Sequence, residues 1–209
     1  MTALLVIAKA PVPGRVKTRL TPPYTPTEAA LLAEAALADT LATVAALPVA
    51  HRILFLDGDP GPWPAPGFEV VPQCGGGLDE RLAAAFTYAD GPALLIGMDT
   101  PQVTAEDMAP ALAEDAWERR DAYFGPAEDG GFWALGLARP DPALLLGVPM
   151  STAATGREQR ARLRAAGLST EDLRVLRDVD TADDVAAVAA MAPHGRFASR
   201  AVDLGAVIA

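Results

Sequence analysis

Short apolar runs, each closed by Gly, Pro or an acid, alternate along the chain with longer stretches in which Ala, Leu and Val recur at helical spacing. ALLVI (3–7), HRILFLD (51–57), FEVVPQ (68–73) and PALLIGMD (92–99) are predicted strands. The first and last are apolar on both faces, as buried parallel strands are. Thr25-Pro26-Thr27-Glu28 reads as a capping box with Pro at the first helical position, opening a helix that runs to about Leu47 and stops at Pro48. A Gly-rich turn at Gly75 to Gly77 leads into an amphipathic helix within 74–89, and Thr104-x-x-Asp107 and Thr181-x-x-Asp184 open two more helices by the same capping logic.

DAYFGPAEDGGFWALGL (121–137) is predicted as two strands around a tight acidic Gly-Gly loop, and 139–152 as a helix turn and loop. Residues 158–166 are predicted helical with an arginine-rich face, most simply a solvated one. LRVLRDVD (173–180) reads as a late strand. The Pro- and Gly-rich segment 57–67 is a loop, and 195–209 receives no assignment. Strands alternating with helices imply an α/β protein with a mostly parallel sheet and helices on both faces, expected as one domain over 1–209.

Charge narrows the choice of partner. The net charge of -10 disfavours nucleic acid and anionic membrane surfaces, whose phosphates most of the surface would repel. Cys74 is the sole cysteine, which excludes an internal disulfide and a cysteine-built zinc cluster, so a reducing, cytoplasmic setting is expected. No apolar run approaches the length of a bilayer span.

Against that acidic background, Lys9, Arg15, Lys17 and Arg19 fall within eleven residues, in the loop that follows the first strand. The chain holds fifteen arginines and two lysines, and both lysines lie in this loop. Where either cation serves, a bias towards Arg would have removed Lys, so a compact ammonium is expected to be needed there. Ligands of open α/β sheets bind at the carboxyl ends of strands, and a Gly with several cations at such an end suits a polyphosphate. Mg²⁺ takes oxygen ligands, usually one or two carboxylates plus substrate phosphates. Asp99, Asp180 and the Glu128-Asp129 pair are the strand-end acids that could supply them, ahead of Asp57-Gly-Asp59 in its proline-rich turn. Other chemistries lack their signatures: Gly14 to Thr18 has the wrong spacing for a Walker loop, Gly-x-Ser-x-Gly is absent, and His51 and His194 offer no triad.

KAPVPGRVKTRL (9–20), GMDTP (97–101), GPAEDGGFW (125–133), Ser151-Thr152 and DVDTADD (178–184) together resemble the rSAM/selenodomain-associated transferase 1 family, a branch of the nucleotide-diphospho-sugar transferase superfamily. The resemblance implies the three-layer α/β/α GT-A fold with a mixed, mostly parallel sheet. Lys17 to Leu20 is also similar to a segment of 2-phospholactate guanylyltransferases, and Asp178 to Thr181 to the ending of sugar-nucleotide cytidylyltransferases.

By that resemblance Asp99 and Asp180 would ligate Mg²⁺ or Mn²⁺, and Lys9, Arg15, Lys17 and Arg19 would contact nucleotide phosphates around Gly14. Gln73 and the turn starting at Gly75 would lie near the base. Lys17 and Arg15 would neutralise developing charge and Asp129 would orient an acceptor. The implied activity is metal-dependent nucleotidyl transfer from an NTP to a small phosphate- or carboxylate-bearing acceptor, with pyrophosphate released. Glycosyl transfer from a sugar nucleotide and nucleotide binding without turnover are the alternatives. Met150, where the family usually has Trp, and the polar stretch after Thr152 depart from the pattern where an acceptor would bind.

Overall fold

The computed structural model describes residues 2–49, 51–61 and 66–207. Residues 62–65 of the predicted proline-rich loop lie outside that range. Strands β1 (Ala3–Lys9), β2 (His51–Asp57), β3 (Glu69–Pro72), β4 (Ala93–Gly97), β5 (Ala122–Pro126), β6 (Phe132–Leu137) and β7 (Thr170–Asp172) form one seven-stranded sheet in the order β3-β2-β1-β4-β6-β5-β7. Only β6 runs antiparallel to its neighbours, β4 and β5; the remaining pairings are parallel. This is the expected mixed, mostly parallel α/β sheet. The carboxyl ends of β1 to β5 therefore share one rim, and β6 starts from it.

The sheet is buried on both faces because its strands are apolar at successive positions. Leu4, Val6 and Ala8 of β1 join one core with Leu54, Leu56, Leu94 and Ile96, while Ala3 and Leu5 join the opposite core with Ile53, Phe55, Ala93 and Leu95. Helices cover these faces: α1 (Pro26–Ala45), α2 (Leu78–Phe86), α3 (Ala105–Leu112), α4 (Ala116–Arg119), α5 (Thr155–Ala165), α6 (Ala182–Met191) and α7 (Arg196–Asp203). The predicted capping boxes at Thr25, Thr104 and Thr181 all form, each with its acid three residues on. The tail folds as α7 against α1 and α6. Asp39 of α1 caps it, accepting from the Arg196 and Phe197 amides at 3.0 and 2.8 Å.

One predicted element is corrected. The edge strand beside β5 is the short, polar Thr170–Asp172, and 173–180 is an extended segment whose only ladder pairing among the described residues is an isolated parallel bridge between Leu176 and Ala127. It crosses the strand ends instead, donating from Leu173 to Phe124, from Leu176 to Pro126 and from Val179 to Asp99 at 2.8 to 3.1 Å. Side chains satisfy its outward carbonyls: Trp133 Nε1 donates to Arg174 O at 2.9 Å and Gln102 Nε2 to Arg177 O at 2.6 Å. Two acids of the capping boxes clamp it as well, Asp107 on Arg174 at 2.7 Å and Asp184 on Arg177 at 2.8 Å. Lateral travel along the rim is what carries Asp178 and Asp180 to the end of β4.

Candidate active site

Above the shared rim lies a cavity of about 930 Å³. Its walls come from the loop after β1, the ends of β2 to β4, the Asp129 to Trp133 loop, residues 150–155 and the crossing segment with its Asp178 and Asp180.

Lys17 is its focal cation. The backbone there has φ 48°, left-handed and costly for a residue with a Cβ, and a turn of 3-10 helix follows at Thr18–Leu20. That conformation turns the side chain inward until only 8% of it is exposed. The ammonium lies 2.6 Å from Asp99 Oδ1 and 3.6 Å from Asp180 Oδ1, and it also donates to the Val179 carbonyl. Arg19, mostly exposed, meets the other oxygen of Asp180 at 3.1 Å. Asp184 occupies the α6 cap, accepting from the Thr181 amide and hydroxyl, which frees the Asp180 carboxylate for the cavity. Burial pushes the Asp184 carboxyl up, but the bonds from Thr181 and Arg177 outweigh it and hold the group below the usual carboxylate range.

The predicted residues distribute as follows. Lys9, Arg15, Lys17, Arg19, Gln73, Asp99, Asp129 and Asp180 all line the cavity. Gly14, with φ 75°, and Gly75 lie in the bordering loops and are not among the lining residues. Lys9 is 3.9 Å from Asp57, whose carboxylate is engaged by Arg81 at 3.1 Å, so the first acid of the Asp-x-Asp rival is already paired with side chains. Gln73 donates both amide protons inward, to Ala8 O at 2.7 Å and Phe55 O at 3.0 Å. Asp129 accepts from the Gly131 amide at 2.7 Å.

Asp178 is assigned no role by the DVDTADD stretch itself. It lines the same cavity, its Oδ1 is buried without a hydrogen-bond partner among the described residues, and its carboxyl is pushed up to about 7. Burial is the largest cause, followed by the negative charges of Asp129, Asp99 and Asp180. A signal for it existed: alternate residues of an extended segment face the same way, so Asp178 follows Asp180.

The donor set is all oxygen, as Mg²⁺ or Mn²⁺ prefers. Among the described residues no three carboxyl, imidazole or thiol groups converge into a ready-made metal cage. Asp99 and Asp180 are held by Lys17 and Arg19, but the orphaned Asp178 Oδ1 in the same cavity marks where a further cation would be accommodated. Mg²⁺ needs only one or two protein carboxylates when phosphates complete its shell. The residues present therefore fit a divalent cation, which Asp99 and Asp180 would hold with Asp178 nearby.

The fold and this rim define a protein of the nucleotide-diphospho-sugar transferase superfamily. The chain belongs to the family of uncharacterized proteins conserved in bacteria, DUF2064, whose model matches residues 40–152. Among solved structures, a provisionally assigned nucleotide-diphospho-sugar transferase from Desulfovibrio desulfuricans G20 superposes with a TM-score of 0.75 at 27% identity, covering 87% of this chain and 84% of that one. The synthetase for CMP-2-keto-3-deoxy-manno-octonic acid, solved with CTP, reaches 0.58 at 12% identity over 92% and 98% of the two chains. Rv0371c from Mycobacterium tuberculosis H37Rv, solved with manganese, reaches 0.52 at 20% identity over 90% and 97%. The last two likenesses establish the fold alone. No curated protein matches the sequence.

Proposed function

We propose that the protein, acting as a single transferase domain, is a divalent-metal-dependent nucleotidyltransferase. It moves a nucleotidyl group from an NTP to a small phosphate- or carboxylate-bearing acceptor. The observation that carries this reading is the Lys17 ammonium joining Asp99 to Asp180 inside a cavity large enough for a nucleotide and an acceptor. A mere nucleotide binder has no need of acids gathered around a phosphate site. The likeness to a CTP-bound synthetase and a manganese-bound protein of the same fold supports the assignment.

In this reading an acceptor oxygen attacks the α-phosphorus, the bond to the bridging oxygen breaks, and pyrophosphate leaves. Arg15, Lys9 and Lys17 hold the triphosphate and offset the charge that builds on its oxygens. Asp129, fixed by the Gly131 amide, orients the acceptor. Mg²⁺ or Mn²⁺, when bound by Asp99 and Asp180, supplies Lewis-acid stabilisation of phosphate charge. Positioning and electrostatics carry the rate, and no covalent enzyme intermediate is required.

The likeness to the Desulfovibrio protein favours a second reading, glycosyl transfer from a sugar nucleotide. Incubation with each NTP, each sugar nucleotide, Mg²⁺ and a pool of phosphorylated metabolites separates the two. Pyrophosphate release supports the first and free nucleoside diphosphate the second. Nucleotide binding without either product in any pool would leave a non-catalytic binder.

A further inference from the structure

Helix α5 carries Arg157, Arg160 and Arg164, spacings of three and four that bring all three to one face. That face is open to solvent at Arg157 and Arg164. It lines a second cavity, of about 350 Å³, whose opposite wall is Phe124, Pro126 and the Gly130-Gly131 turn.

The arginines are not equally committed. Arg160 lies 4.1 Å over the Phe124 ring and pairs with Asp172, which fixes it in place. Arg157, 77% exposed, meets only Glu158 of its own helix, at 2.9 Å. Arg164 is exposed and has no carboxylate partner among the described residues. Three guanidiniums against two carboxylates leave an excess positive charge, on a protein whose net charge is -10. Guanidinium groups bind tetrahedral oxyanions with paired, charge-assisted hydrogen bonds.

The wall between this cleft and the larger cavity is thin. Gly131 and Ala153 line both. The Gly156 amide donates to Gly130 O at 2.8 Å, and a Cβ at Gly156 would come within 2.7 Å of Gly131 O, so helix and turn are in direct backbone contact. A group held by the arginines therefore sits next to the turn that fixes Asp129.

We propose that the α5 cleft binds the phosphate group of the acceptor, which makes the acceptor a phosphomonoester. This rests on the nucleotidyl-transfer reading of the larger cavity. A doubly charged tetrahedral phosphate can engage Arg157 and Arg164 together, with Arg160 as the fixed floor. A carboxylate brings one charge and two coplanar oxygens, enough for one guanidinium.

Titration calorimetry of the full chain at low ionic strength, with inorganic phosphate as probe and acetate as the carboxylate arm, tests this. Phosphate should bind saturably, and still do so with the protein saturated by NTP and Mg²⁺. Arg164→Gln should weaken it about tenfold, and adding Arg157→Gln should abolish it, on the usual strength of charged hydrogen bonds. Both side chains are exposed, so folding is not at risk. Unchanged phosphate affinity in the double variant, loss of phosphate binding on NTP saturation, or acetate binding as tightly as phosphate would each overturn the proposal. The NTP-induced rise in Tm, recorded on the same samples, is a separate readout. Its absence in the unsubstituted chain sinks the nucleotide reading, whereas the phosphate titration judges the cleft.

Discussion

The two cavities that share Gly131 and Ala153 have opposite charge logic. In the larger one acids and cations are closely matched, Asp99 and Asp180 sharing the buried Lys17 ammonium and Asp180 meeting Arg19 as well, while the half-buried Asp178 has no cation partner among the described residues and its carboxyl is pushed up to about 7. In the smaller one, guanidiniums outnumber carboxylates and remain near water, where their charge costs little. Buried excess charge is expensive and has to be balanced by a ligand; exposed excess charge is cheap and needs none. On the proposed reading, the first cavity holds a half-buried acid, Asp178, that a bound cation would neutralise, and the second offers an anion only exposed guanidiniums.

The comparison breaks most visibly at the acids. Asp99→Ala removes the carboxylate 2.6 Å from Lys17 and should lower kcat/KM by roughly 100-fold or more in a pyrophosphate-release assay, because stabilisation of phosphate charge is worth several kcal/mol. The extra thermal stability that Mg²⁺ confers on the NTP complex should vanish with it. Retention of full Mg²⁺ dependence in this variant would show that the cation is held elsewhere.

The shared wall comes next. Gly130 has φ 90°, and a Cβ there would sit 2.3 Å from Ala153 O, a backbone atom with little freedom to move. Gly130→Ala should cost on the order of 2–3 kcal/mol in urea unfolding, combining left-handed strain with a displaced turn. The same substitution should weaken both NTP and phosphate binding. An unchanged midpoint would mean that the turn yields freely and does not couple the two cavities.

Asp178 sharpens the contrast through pH. Its carboxyl has an ordinary value of 3.8 in the unfolded chain and about 7 in the folded one, so folding favours the protonated form. Below pH 4 both states hold the proton and nothing is lost. Between pH 4 and 7 the unfolded chain has released it while the folded protein still holds it, and stability falls as pH rises; above 7 the loss is complete. The ceiling is about 4 kcal/mol, reduced to roughly 1–2 by solvent screening of a side chain that is only partly buried. Asp178→Asn should therefore raise Tm above pH 7 without metal, flatten the Tm profile between pH 4 and 7, and weaken Mg²⁺ stabilisation. A Tm that does not rise at pH 8 would contradict a strained acid at this position.

How far these features are legible from residues alone varies with their physical cause. β1, β2 and β4 are readable because burial on both faces writes an unbroken apolar run, and α1, α3 and α6 because each capping box is local. LRVLRDVD misleads because an extended chain bonded to strand ends and side chains has the same apolar pattern as one in a ladder. The true edge strand, Thr170–Asp172, has no apolar signal at all. Lys9 and Asp99 are readable as charges at strand ends and Lys17 as part of the basic loop, whereas Asp180 reaches the rim on the crossing segment and not at the end of the strand expected there. That Lys17 would sit between the two acids depends on a left-handed backbone no spacing rule announces, and the α5 face reads as solvated because the wall opposite it comes from residues 124–131.

The smallest expected effect is the most discriminating. Arg157→Gln with Arg164→Gln removes two exposed guanidiniums that make no buried contact, and surface changes of that kind move stability by no more than about 0.5 kcal/mol. Tm should therefore stay within a degree or two of the unsubstituted protein at neutral pH, while Arg160→Gln, which loses the Phe124 stack and the Asp172 pair, should lower it measurably. A large loss of stability in the double variant would mean that these arginines hold α5 to the sheet. The second cavity would then be a seam of the fold with no surplus charge to offer a ligand.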